Sequence, residues 1–124
     1  MSARRPLVLL VDDDEEMRST LVEVLALEGI DAVTARHGAE AFERLRAGLA
    51  PDAILLDLMM PVMSGWEFRA QQRQDPALSA IPVMVLSASA SATRNAALLE
   101  VEAYQAKPLR VEAVVAWIRA RAAG

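Results

Sequence analysis

The sequence has no cysteine among its 124 residues, which excludes a disulfide framework and any metal centre built on thiolates. Histidine is nearly as scarce. His37 is the only one, and it falls where a second helix would start, so it is read as part of that start rather than as a phosphodonor. Long apolar runs are also missing. Leu7-Val8-Leu9-Leu10-Val11 ends after five residues, against the roughly 20 that a helix needs to span a bilayer. The opening Met1-Ser2-Ala3-Arg4-Arg5-Pro6 leads into no apolar stretch of signal-peptide length. Charge is not one-sided: 13 basic against 17 acidic side chains leave −4, which argues against non-specific nucleic-acid binding. No linker, low-complexity tract or repeat divides the chain. At roughly 100–200 residues per domain this is one domain over 1–124, and 54% apolar residues suffice for a core. The expectation is a soluble cytoplasmic domain without membrane or nucleic-acid contacts.

Five short apolar runs stand out: Leu7–Val11, Asp31–Ala35, Ala53–Leu56, Pro82–Leu86 and the weaker Ala103–Ala106. Three have little polar interruption, as strands covered on both faces would. Helical spacing fills the gaps. Over Glu15–Glu28, residues Leu21, Val24, Leu25 and Glu28 fall at i, i+3, i+4 and i+7, with Asp14 as N-cap and Gly29 as the stop. Ala39–Leu49 repeats the pattern with Ala41, Phe42 and Leu45. Ser64-Gly65-Trp66-Glu67 is a capping box that opens a third helix. Ser89 or Ser91 starts a fourth, through about Leu99, and a last helix runs from about Arg110 to Ala122. Strand and helix alternating five times give a parallel sheet with helices on both faces.

Ligands of open parallel sheets bind at the carboxyl ends of the strands. There the first strand delivers Asp12-Asp13-Asp14, the third Asp57, the fourth Ser87, and the fifth runs into Lys107-Pro108. Carboxylates roughly 4 Å apart repel by about 4 kcal/mol at an effective dielectric of 20. Three of them therefore need a cation, or one must take up a proton. An all-oxygen site suits a hard ion such as Mg²⁺. A lysine opposite is a fixed positive charge for a transferred phosphoryl group, and Ser87 can donate a hydrogen bond to it. The set fits phosphoryl transfer to a carboxylate, with Asp57 as nucleophile.

These residues resemble the receiver domains of two-component response regulators along essentially the whole chain. The resemblance is carried by Val11-Asp12-Asp13, by Asp57-Leu58-Met59-Met60-Pro61 with Gly65, by Ser87-Ala88, and by Tyr104-Gln105-Ala106-Lys107-Pro108. It implies a doubly wound, flavodoxin-like five-stranded sheet in the order 2-1-3-4-5 flanked by five helices, standing alone without an output domain. It implies that Asp57 takes a phosphoryl group from a sensor histidine kinase or a histidine phosphotransfer protein. Asp12, Asp13, Asp57 and the Met59 carbonyl would bind Mg²⁺, with Mn²⁺ as the alternative ion. Lys107 would contact the phosphoryl oxygens, next to a cis Lys107–Pro108 bond. Ser87 would move toward the phosphoryl group and Tyr104 would turn inward behind it. The chain departs from its relatives at Glu100-Val101, where they carry Gly-Ala, and at Ala103, where they carry an acidic residue.

Met60 is read as core filler. Met59 and Ser89, near the phosphoryl group, would tune the acyl phosphate lifetime. Trp117 lies off the apolar stripe formed by Val111, Val114, Val115 and Ile118. It is either packed against a neighbouring helix or an anchor for a downstream protein or a second copy, on the face of the fourth helix, fifth strand and last helix. Two competing readings differ in chemistry. A receiver fold could act as a scaffold without phosphorylation. Alternatively, Asp12-Asp13-Asp14 matches the Asp-x-Asp start of haloacid-dehalogenase-like phosphatases, with Asp12 as nucleophile, although Glu16 and the lack of a late acidic pair depart from that pattern.

Overall fold

Residues 4–58, 60, 62–87 and 101–123 are described by a computed structural model. Its strands are β1 (Leu7–Val11), β2 (Asp31–Ala35), β3 (Ala53–Asp57), β4 (Val83–Ser87) and β5 (Ala103–Ala106). All neighbours pair in parallel, and the spatial order is β2-β1-β3-β4-β5. Hydropathy follows position in the sheet. The central strands β3 and β4 are buried at every residue, whereas the edge strand β5 alternates between half-buried and exposed.

Because side chains alternate across a strand, the sheet splits its apolar residues into two layers. Leu9, Val11, Ile54, Leu56, Val83 and Val85 face one side, against Phe42 and Phe68. Those two rings stack at 4.6 Å. Val8, Leu10, Leu55, Met84 and Leu86 face the other, against Leu21, Leu25, Val114, Val115 and Ile118. The first layer lies under helices α2 (Gly38–Arg46) and α3 (Gly65–Gln74) and the second under α1 (Glu15–Leu27) and α4 (Val111–Ala123).

The caps at Asp14 and Ser64 are where the sequence places them, and the structure adds His37 as the cap of α2. Asp14 Oδ1 accepts from the Met17 amide at 3.2 Å, His37 Nδ1 from the Glu40 amide at 3.2 Å, and Ser64 with Glu67 closes a full capping box. Gly29 takes φ +78° after α1, a left-handed stop that glycine adopts without a Cβ penalty. Boundaries differ by a few residues. β3 and β4 run one residue past Leu56 and Leu86, so Asp57 and Ser87 are the last ladder residues. α2 stops at Arg46 rather than Leu49, because Gly48 at φ +110° turns the chain first. Glu28 does not share the buried stripe of Leu21 and Leu25; it is exposed, and its main-chain carbonyl accepts from Arg119 at 2.8 Å. The helix expected between Ser89 or Ser91 and Leu99, and the roles expected of Met59 and Ser89, lie outside the described residues. Among those residues there are four helices, and none is long and apolar enough to cross a membrane.

Candidate functional site

Registry sets the rim. Asp57 pairs with Leu86, and Ser87 with Ala106, so the strands finish at successive heights and their following residues converge. Asp12 follows β1 directly, and its amide donates to Ala35 O at 3.1 Å. Two glycines stand at close approaches, Gly65 to the backbone behind Asp57 and Gly38 to the Met63 side chain. At Gly65 a Cβ would lie 2.5 Å from the Asp57 carbonyl oxygen, and at Gly38 one would lie 2.7 Å from Met63 Sδ. Only a residue without a Cβ lets α3 begin so close behind Asp57. Its amide donates to Leu58 O at 3.0 Å, closing the turn. Within that turn Val62 is exposed at φ +68°, a conformation that costs a non-glycine residue roughly 1–2 kcal/mol.

One carboxylate oxygen each from Asp12, Asp13 and Asp57 lies within 4.8 Å of the others. Asp12 is 0% exposed and Asp57 4%, while Asp13 opens to solvent. Lys107 Nζ sits 3.0 Å from Asp12 Oδ2 and 3.7 Å from Asp57 Oδ1. Asp12 Oδ1 accepts the Asp14 amide at 2.9 Å, and Asp12 O accepts from Arg18 Nη1 at 2.7 Å. Burial pushes the Lys107 ammonium down, but its hydrogen bond to Asp12 and the charges of Asp12, Asp57 and Asp14 outweigh this, leaving its pKa above the ordinary 10.5. Lys107 is thus a firm cation at neutral pH. Among the described residues, the cluster of three carboxylates has one ammonium beside it, next to Asp12 and Asp57, so the hollow is short of positive charge. Oxygen-only donors, one open to solvent, fit a hard divalent cation.

Four of the five residues predicted from strand ends, Asp12, Asp13, Asp57 and Lys107, therefore meet in one place. Ser87, the fifth, is fully buried at the end of β4, and its carbonyl accepts the Lys107 amide at 2.7 Å. The Lys107–Pro108 bond is cis. Tyr104 is 49% exposed on the edge strand. Trp117 stands elsewhere. It is half-buried against the layer of Val8 and Leu10, Arg121 lies 5.7 Å over its ring, and its buried indole N–H has no acceptor among the described residues. Arg119 reaches Glu28 at the end of α1, and at 100° per residue Trp117 is about 160° around the helix from it, on the side away from α1. Met60 packs on the Phe42 layer as core filler. Sequence reading missed Arg18. The signal was an arginine four residues after the Asp14 cap, one turn from the acidic loop.

A sequence profile of the response regulator receiver domain matches residues 8–119. The chain belongs to that family. This receiver is 40% identical over 114 residues to hybrid signal transduction histidine kinase D of Dictyostelium discoideum, covering 90% of the chain and 7% of that protein. It is 36% identical over 123 residues to the DNA-binding response regulator MtrA of Mycobacterium tuberculosis, covering 98% of the chain and 52% of MtrA. The chain thus spans about half the length, or far less, of these curated relatives. Among solved structures, a response regulator receiver protein from Pseudomonas putida superposes with a TM-score of 0.85 at 28% identity, over 96% of this chain and 99% of that one. Response regulator TrrA from Thermotoga maritima, solved in complex with Mg²⁺-BeF, gives 0.82 at 25% identity over 94% and 98%. Receivers are phosphoacceptor domains of two-component signalling rather than enzymes, which sets aside the phosphatase reading of Asp12.

Proposed function

We propose that Asp57 is the phosphoacceptor of this receiver and that its donor is the phosphohistidine of a sensor histidine kinase or histidine phosphotransfer protein. The observation that carries this reading is the meeting of three carboxylates within 4.8 Å, with the Lys107 ammonium 3.7 Å from Asp57. Asp12, Asp13 and Asp57 would hold Mg²⁺, or Mn²⁺ through the same oxygen donors. When bound, the ion offsets charge on the carboxylates and on the phosphoryl oxygens. An Asp57 carboxylate oxygen attacks phosphorus, and the new O–P bond forms as the P–N bond breaks. The electron pair returns to the donor's imidazole. Lys107 faces the equatorial oxygens as a fixed cation, and the Ser87 hydroxyl donates to one of them. Burial of Asp57 keeps bulk water from the acyl phosphate. A groove of about 370 Å³ beside Asp14 and Lys107, lined by Met17, Leu21, Val24, Leu109 and Val111, would seat the donor protein.

Intact mass after incubation with phosphoramidate, with and without Mg²⁺, tests this reading. The wild type gains one phosphoryl group only with Mg²⁺, and Asp57→Asn gains none. Label on folded Asp57→Asn at the wild-type level would end it. Downstream, Ser87 and Tyr104 would pass the change to the face of β5 and α4, where Trp117 anchors a target protein or a second copy. Self-association or target binding that Trp117→Ala leaves intact would remove Trp117 from that role.

A further inference from the structure

Each polar handle of Asp12 already has one partner. Its amide donates to Ala35 O, one carboxylate oxygen accepts the Asp14 amide, and the other accepts the Lys107 ammonium. The remaining handle is its main-chain carbonyl, which accepts from Arg18 Nη1 at 2.7 Å. Arg18 lies in the first turns of α1, and its own amide donates to Asp14 O at 3.0 Å. One residue thus ties the helix to both ends of the loop that carries Asp13.

We propose that Arg18 is a positioning residue for the divalent cation, holding the Asp12–Asp13 peptide so that the Asp13 carboxylate stays beside Asp12 and Asp57. A trans peptide is planar, so an anchored carbonyl also fixes the next amide and Cα. Asp13 needs that restraint. It is exposed and repelled by two buried carboxylates, and without a fixed backbone it would turn outward into water. Such supporting contacts set metal affinity as surely as the ligands do. A bare charge effect has the opposite sign. A guanidinium near the hollow repels an incoming dication, so if charge were its whole contribution, removing it would tighten binding.

The inference rests on reading Asp12, Asp13 and Asp57 as a Mg²⁺ site. Its test compares the full chain with Arg18→Lys, which keeps the charge and a donor, and Arg18→Met, which keeps the apolar stem alone. Mg²⁺ is titrated calorimetrically, and amide hydrogen exchange is followed without metal. Arg18→Met weakens Mg²⁺ about tenfold, and Arg18→Lys weakens it less. In metal-free Arg18→Met the Asp14 amide exchanges faster, while the amides of β3 and β4 keep wild-type rates. Mg²⁺ affinity that is unchanged or tighter in Arg18→Met overturns the proposal, as does exchange that rises throughout the chain. If the wild type itself binds no Mg²⁺, the reading of the site fails, and exchange at Asp14 still decides whether Arg18 holds the loop.

Discussion

The two rims of the sheet treat carboxylates in opposite ways. At the rim where strands begin, Asp52 takes Arg4 Nη1 at 2.7 Å and the Leu7 amide at 2.8 Å, and Asp31 takes Arg5 Nε at 3.1 Å. Asp52 and Asp31 there each have an arginine of their own. At the rim where strands end, Asp12, Asp13 and Asp57 cluster together, and among the described residues Lys107 is the cation beside Asp12 and Asp57. The first rim closes its charges on itself and adds to the fold. The second leaves negative charge open to an outside cation and an incoming phosphoryl group, and the fold bears the repulsion. Removing an acid should therefore have opposite signs at the two rims.

The larger effect belongs to the closed rim. Asp52→Ala should destabilise the protein by about 2 kcal/mol in denaturant titration, since it strips a charged acceptor from the β1 amide and from Arg4. The hydrogen bond from Arg4 holds the Asp52 carboxyl below its ordinary 3.8, against burial, with help from the Leu7 amide and the Arg4 charge. A depressed folded-state pKa adds stability above the unfolded value and loses it as pH falls through the folded one. The gap between wild type and Asp52→Ala should accordingly hold from pH 7 to about 4 and shrink below that. A gap that stays constant down to pH 2 would mean the pairing is not its source.

A smaller effect of reversed sign is expected at the open rim. Asp13→Asn removes one charge that repels Asp12 and Asp57, and without metal it should stabilise the fold by about 1 kcal/mol, the low value suited to an exposed group. The same change should reduce the stabilisation that added Mg²⁺ gives. Thermal midpoints with and without Mg²⁺ read both. If Asp13→Asn destabilises the metal-free protein as Asp52→Ala does, the contrast between the rims is wrong.

Much of the contrast was legible along the chain. Strand runs, capping residues and strand-end acids are local patterns, since apolar period and cap chemistry act within a turn or a ladder step. The boundary of α2 was less legible, because Gly48 ends the helix in a conformation that competes with the apolar spacing up to Leu49. Trp117 could be placed off the stripe but not judged packed or free. Its half-burial depends on the neighbours of α4 in space.

By itself the sequence determined the alternation of elements, the caps at Asp14 and Ser64, and which residues stand at strand ends. Tertiary structure alone decided how those residues pair. Lys107 leans on Asp12 at 3.0 Å more closely than on Asp57 at 3.7 Å, Arg18 turns back onto the Asp12 carbonyl, and Tyr104 stays exposed on the edge strand. The physical reason is range. Periodicity and capping are set by neighbours within a few residues, whereas a contact between positions 12 and 107 exists only once three parallel ladders, β1–β3, β3–β4 and β4–β5, have brought the strand ends to one rim.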